Sequence, residues 1–355
     1  MENFGVFRER MKQLLMQLPD AKMESGGNAI LLRCRYCGDS KRNKSSRHMY
    51  VYLPSVSNPM FFHICYRANC AVKGVVTWQK LIEWGVNLTE EDIRDLVQYT
   101  KETMMNNSNN VYFKDSGLNI LSNQSINNNY SQMYNYKINY INKRLGTNLT
   151  HEDLKKLKIS LNLSELIYEN DLNPNIEDWK LQAISEKYIC FITQDNNYAV
   201  CRNTMFKDGE RLPMNYRYFK YNIFGNNSKR SLYIIPTEIN VNEPVRIYLS
   251  EGTFDILSVK FNVIDDPNGI YCAVLGGGFA NAIEYFISDL SLINLEFHLY
   301  LDNDMDSYKV KEIVDLIRPY EYNTYIHTNR FQGEKDFGVS KDRIINYTQQ
   351  VIKGW

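Results

Sequence analysis

Two acidic stretches and four cysteines carry the chemistry open to this chain. In "RIYLSEGTFDIL", Glu251 follows an apolar run, Gly252 permits a sharp turn, and Asp255 comes four residues after Glu251. In "FHLYLDNDMDSY", Asp302, Asp304 and Asp306 recur at every second position where apolar alternation ends. Carboxylates gathered in one place repel each other, and a hard divalent cation with oxygen ligands is the usual remedy. Mg²⁺ or Mn²⁺ suits such a site where phosphates also bind. The cysteines point to a different metal. Cys34 and Cys37 form CxxC, and Cys65 and Cys70 form CxxxxC after 27 intervening residues. Two close pairs on tight turns let four thiolates converge on one Zn²⁺ at about 2.3 Å. His48 and His63 are near enough in sequence for either to replace a cysteine. Cys190, Cys201 and Cys272 lie in apolar strand text and read as core fillers.

The elements that must position the acids follow from periodicity. From about residue 244, strand and helix alternate: strands "VRIYLS", "YCAVLG", "EFHLYLD" and "YNTYIHT", with helices "TFDILSVKF", "NAIEYFISDL" and "SYKVKEIVDLI" between them. Such alternation argues a parallel sheet covered by helices, whose strand carboxyl ends line one edge where ligands bind. Glu251 then meets Asp302 and Asp304 at that edge, the last two sharing a side if the chain stays extended, with Asn303 turned away. Upstream, "YICFITQDNNYAVCRN" reads as a hairpin, and Thr150 three residues before Asp153 as a helix N-cap. Residues 101–130, nine of them Asn, read as a flexible linker. The expected fold class is multidomain α+β. Its parts are a zinc module over 1–100, the linker over 101–130, a basic subdomain over 131–243, an α/β domain over 244–340 and a helix over 341–355.

Charge is unevenly spread. Residues 1–80 hold 13 Lys+Arg against 5 Asp+Glu, leaving 28 against 36 for the rest. That asymmetry suggests a front end that faces nucleic acid. Around the cysteines, Arg33, Arg35, Lys41, Arg42, Lys44, Arg47, Arg67 and Lys73 interleave with Tyr36, Tyr50, Tyr52, Phe61, Phe62 and Tyr66. This mix tracks phosphates and stacks the bases of single strands. A solvated basic face is the alternative. No apolar run of spanning length and no secretory leader is seen, and seven cysteines fit reduced thiols, so a cytoplasmic location is expected.

With these motifs in order, the chain resembles the DnaG-type primases, phage-encoded members included, which join a zinc ribbon to a Toprim domain. "LSEGTFDILSV", "VLGGGFA" and "YLDNDMDS" are similar to the Toprim EGxxD segment, small-residue turn and DxD segment. "GEKDFGV", with Lys335 and Asp336, resembles the late element that adds a metal-side carboxylate. "CRYCGDS" and "HICYRANCAVKG" resemble the two ribbon knuckles, the second departing from the family's CxxC. The resemblance implies synthesis of RNA primers from ribonucleoside triphosphates on single-stranded DNA. It implies catalysis by Mg²⁺ or Mn²⁺ at Glu251, Asp255, Asp302, Asp304 and Asp336, with a structural Zn²⁺ at Cys34, Cys37, Cys65 and Cys70. Glu251 is either a ligand or a proton acceptor. Arg202, Arg217, Lys220, Lys229, Arg230 and Lys335 are the implied nucleotide or nucleic-acid contacts. No GxxxxGK[ST] occurs, so a separate replicative helicase is the implied partner. A Toprim nuclease or a recombination mediator would share the same acids.

Overall fold

A two-residue period of burial builds the first sheet. The computed structural model describes residues 4–40, 43–55, 59–67, 70, 72–104, 111–113, 118, 120, 128–206, 216–224, 231–241, 243–276, 278–290, 292 and 294–351. Cα packing divides the chain into two compact units. One is Met1–Asn109 with Ile283–Asn294 and Ile313–Tyr322; the other is Asn110–Ala282, Leu295–Glu312 and Asn323–Trp355.

The first unit opens with helix α1 (Phe4–Met16) and continues through strands β1 (Lys22–Met23), β2 (Ala29–Leu32), β3 (Met49–Tyr52), β4 (Phe62–Cys65) and β5 (Lys73–Val75). These pair antiparallel in chain order. Met49, Val51, His63 and Cys65 are buried, whereas their neighbours Tyr50, Tyr52, Phe62 and Ile64 are half-buried. Met11, Leu14 and Leu15 of α1 fill the core with them. Helices α2 (Trp78–Glu83) and α3 (Glu90–Met104) follow. Arg10 forks onto Asp92 at 2.6 and 2.9 Å, tying α1 to α3.

In the second unit, β6 (Val111–Phe113) precedes α4 (Asn128–Leu145), α5 (His151–Lys156), β7 (Ile159–Ser160), α6 (Leu163–Tyr168) and α7 (Asp178–Lys187). Thr150 and Asp153 cap α5 reciprocally, as the sequence predicts. Fully buried Lys137 of α4 donates to the carbonyls of Leu161, Ser185 and Tyr188, which anchors that helix. The expected hairpin is β8 (Tyr188–Ile192) and β9 (Tyr198–Asn203), turned by Asn196 in the left-handed region at φ 59°. With β10 (Tyr218–Asn222) they form an antiparallel sheet in the order β10-β9-β8-β7. Cys190 and Cys201 face each other across β8 and β9, and Cys272 is buried too, as core fillers should be.

The last sheet comprises β11 (Tyr233–Ile234), β13 (Val245–Ser250), β14 (Gly269–Ala273), β15 (Leu295–Tyr300), β16 (Asn323–Asn329) and β17 (Asn346–Gln350), while β12 (Thr237–Ile239) pairs with β6. Its order is β11-β14-β13-β15-β16-β17, with the four central strands parallel and the two edges antiparallel. Parallel neighbours need crossovers, which helices α8 (Thr253–Ser258), α9 (Phe279–Glu284) and α10 (Ser307–Ile317) supply. One row of the sheet stacks Tyr271, Tyr248, His298 and Tyr325 on adjacent strands, with ring centroids 4.7, 4.9 and 4.9 Å apart. The fold is therefore mixed α+β with several sheets.

Two expectations are corrected. The helix expected over 341–355 is not formed by the described residues 341–351, because after a short 3₁₀ turn Asn346–Gln350 completes the hydrogen bonding of β16 as an antiparallel edge strand; 352–355 lie outside the described residues. Its apolar spacing mimics a helical stripe, yet Ile345 is exposed. Nor is 101–130 wholly a linker. α3 runs to Met104, β6 pairs with β12, Ile120 is buried and α4 starts at Asn128. The rest of that stretch lies outside the described residues. None of the described helices is long and apolar enough to cross a membrane.

Candidate metal centre and acid-lined cavity

The cysteine pairs converge. The ligand atoms of Cys34, Cys37, Cys65 and Cys70 all lie within 4.8 Å of one another, with Cys34 and Cys70 sulfurs 3.7 Å apart. Gly38 and Asp39, both in the left-handed region, turn the first knuckle back so that the Gly38 amide meets the Cys34 carbonyl at 2.9 Å. Buried Asp39 accepts from the Cys34 amide at 2.8 Å and pairs with His48. Four soft thiolates at this spacing fit one tetrahedral zinc ion, so this group can hold Zn²⁺. Burial pushes the Cys65 thiol up to about 11, so loading a metal there must release protons. Neither histidine joins the group. His63 is buried between the rings of Tyr36 and Trp84, and His48 turns to Asp39.

The surrounding arginines are less available than their count suggests. Arg33 donates to four loop carbonyls, Arg35 pairs with Asp20, Arg47 meets the Asp20 carbonyl and Arg67 the Asp39 carbonyl. Lys44 and Lys73 remain exposed, and Lys41 and Arg42 lie outside the described residues. Phe61 is buried, while Tyr52 stacks on Phe62 at 4.8 Å and shares a 2.8 Å hydroxyl contact with exposed Tyr66. A half-exposed aromatic sheet face therefore carries more of this surface than free charge does.

The acids gather at the carboxyl ends of the parallel strands. Glu251 directly follows β13, and Asp302 comes two residues after β15. Both line a cavity of about 410 Å³ together with Asp255 and Asp336. Asp304 does not line it: the chain turns at Asn303 rather than staying extended, and the Asp304 side chain is 66% exposed. Lys335 joins the two, its ammonium 3.2 Å from Asp302 and 3.6 Å from Asp304. Asp306 accepts from the Tyr308 amide at 2.8 Å, an end-of-helix role. Gly252 has an ordinary backbone (φ −110°), so a sharp turn is not why glycine stands there. A Cβ on it would lie 2.5 Å from the Asp255 carboxylate, which accepts the Gly252 amide at 3.0 Å.

Asn303 and Asn329 matter here, though the sequence drew no attention to their roles. Asn303 donates to the Asn329 and Glu334 carbonyls, and its amide meets the Lys335 carbonyl at 2.8 Å. Fully buried Asn329 donates to the Asp336 and Arg343 carbonyls and accepts from the Phe331 and Ile345 amides. Together they hold the loop that brings Lys335 and Asp336 to the cavity. An asparagine directly after the first acid was the only local signal.

Tyr218, Phe219 and Lys220 of strand β10, with Arg217 just before it, form another wall of the same cavity. Arg202 is not on that wall. It is 6% exposed, with its guanidinium 4.7 Å over the Tyr218 ring and its Nε donating to the Tyr140 hydroxyl at 3.3 Å. Lys229 and Arg230 lie outside the described residues.

Crowding shows in the titration of the acids. Burial first, then the charges of Asp336 and Asp302, push the Asp255 carboxyl up to about 7 against the pull of Arg144. Asp302 is raised as well, by burial first and also by Asp336 and Glu251, with Lys335 opposing. These oxygen donors fit a hard divalent ion by type and by mutual repulsion. Among the described residues, however, only the thiols all lie within 4.8 Å of one another. Mg²⁺ keeps several of its waters, so one or two direct carboxylates suffice. A stability test follows. With Asp255 at about 7 folded against 3.8 unfolded, the folded chain holds the extra proton, so this contribution is full below about pH 4 and is lost as pH rises towards 7. In zinc-loaded protein free of other divalent ions, Asp255→Asn is expected to become progressively more stable than the parent across that range. A constant difference in melting temperature would contradict it.

No protein-family model matches the chain, and no curated protein matches it. Among solved structures, the primase fragment of the bacteriophage T7 primase-helicase protein is similar to 46% of this chain, with a TM-score of 0.25 and 15% identity. The matched part spans 64% of that fragment.

Proposed function

We propose that this protein is a DNA primase that joins ribonucleoside triphosphates into short RNA primers on single-stranded DNA, with its Toprim-type acids as the catalytic centre. One observation carries the reading: four carboxylates and the basic, aromatic strand β10 line one cavity at the carboxyl edge of parallel strands. Acids alone are common on surfaces. Acids facing Arg217 and Lys220 form a place where a triphosphate and a divalent ion can bind together.

In this reading Glu251 and Asp302 would hold Mg²⁺ or Mn²⁺, supported by Asp255, Asp336 and, across Lys335, Asp304. A divalent ion at such a site stabilises charge on the phosphoryl oxygens and lowers the pKa of the attacking hydroxyl. Arg217 and Lys220 bind phosphates opposite the acids, and Tyr218 and Phe219 offer rings to bases. Lys335, beside Asp302 and on the cavity wall, would offer its ammonium to phosphate. The zinc module, through its aromatic face, retains template. A replicative helicase on a separate chain remains the proposed partner.

The test is a gel of products made from labelled ribonucleotides on single-stranded DNA of random sequence, with Mg²⁺ or Mn²⁺. Short template-dependent RNA is the expected product. Cleaved template would favour a Toprim nuclease, and binding without any product a recombination mediator; either would replace the primase reading.

A further inference from the structure

Asp255 is confined between two glycines. A Cβ on Gly338 would lie 2.5 Å from Asp255 Oδ1, as one on Gly252 would from Oδ2. Gly338 has no positive φ, so its backbone suits any residue and only space demands glycine. The same Cβ would lie 3.1 Å from Arg144 Nη2. Arg144, from the last turn of α4, is held there on two sides. Its Nε donates to the Gly338 carbonyl at 2.9 Å, and its guanidinium lies 4.3 Å over the Phe254 ring.

We propose that Gly338 and Arg144 are positioning residues for the acid cluster: the bare Gly338 backbone leaves room for the Asp255 carboxylate, and Arg144 supplies its counter-charge. Through the hydrogen bond from Arg144 to Gly338, α4, in the segment before the parallel sheet, governs a carboxylate at the sheet's edge. The attraction of Arg144 also opposes the burial that disfavours the Asp255 anion. The inference rests on the acids' being a divalent-ion site.

The experiment titrates Mn²⁺ into zinc-loaded, full-length protein and reads free Mn²⁺ by electron paramagnetic resonance, with the melting temperature of each variant measured alongside. Gly338→Ala is expected to weaken Mn²⁺ binding by about 10-fold or more, the usual effect of disturbing a partner that orients a ligand, with little change in melting temperature. In an Asp255→Ala background, where the carboxylate is gone, Gly338→Ala should cost nothing further. Arg144→Gln should weaken Mn²⁺ in the parent and not in the Asp255→Ala background, where it merely removes a repelling cation. Effects of Gly338→Ala that add in full to Asp255→Ala, or tighter Mn²⁺ binding by Arg144→Gln in both backgrounds, would overturn the proposal while leaving the metal site intact. A parent with no Mn²⁺ site beyond the zinc would overturn the metal reading itself.

Discussion

Asp302→Asn is expected to lower ribonucleotide incorporation by about 10³-fold, because losing one charged ligand of a catalytic ion removes several kcal/mol of transition-state stabilisation at about 1.4 kcal/mol per decade. The swap keeps shape and volume, so packing is spared. Asp302 is suited to such a role: its side chain is 19% exposed, it lies on the cavity wall, and burial with the charges of Asp336 and Glu251 already strains its ionisation. Template binding should persist, since the substitution removes a negative charge and frees Lys335 from an ion pair. Fluorescence anisotropy with labelled single-stranded DNA, run beside the incorporation assay, separates the two outcomes. Equal incorporation by parent and variant would remove Asp302 from the chemistry.

The double substitution Cys34→Ser and Cys37→Ser should release the zinc and unfold most of the first unit. Structural zinc in small modules contributes about 10–16 kcal/mol at neutral pH, comparable with the whole stability of a domain. Cys34 and Cys65 are also core members, packed with Leu32, Met49 and Val51, so a metal bound there would hold a hydrophobic cluster as well as a loop. Zinc stoichiometry by mass spectrometry should fall from one per chain to none, with a broadened thermal transition. One zinc retained per chain would refute the ligand set.

How much of this was legible in the sequence depends on whether the signal was local. Alternation of strand and helix after residue 244 gave the parallel sheet, and close cysteine pairs gave the zinc group, because each rests on spacing within a few residues. Glu251 and Asp302 were readable since strand ends in such a sheet share an edge. Asp304 was misplaced because a two-residue period holds only while the backbone stays extended, and here it turns at Asn303. Arg202, implied as a nucleotide or nucleic-acid contact by the resemblance, is buried with its guanidinium over the Tyr218 ring, a placement that neither motif nor charge reveals. Asn329, Gly338 and Arg144 escaped notice because their value lies in contacts between segments far apart in the chain. The same holds for Asn346–Gln350, whose strand form comes from the open edge of β16 and not from its own pattern.

The most direct measurement of the central claim is a crystal of zinc-loaded protein soaked in Mn²⁺, with anomalous scattering recorded at the manganese edge. A peak is expected within coordination distance of Glu251 or Asp302, inside the cavity walled by Arg217 and Lys220. Density only at the thiols, or manganese scattered over unrelated surface acids with that cavity empty, would contradict it.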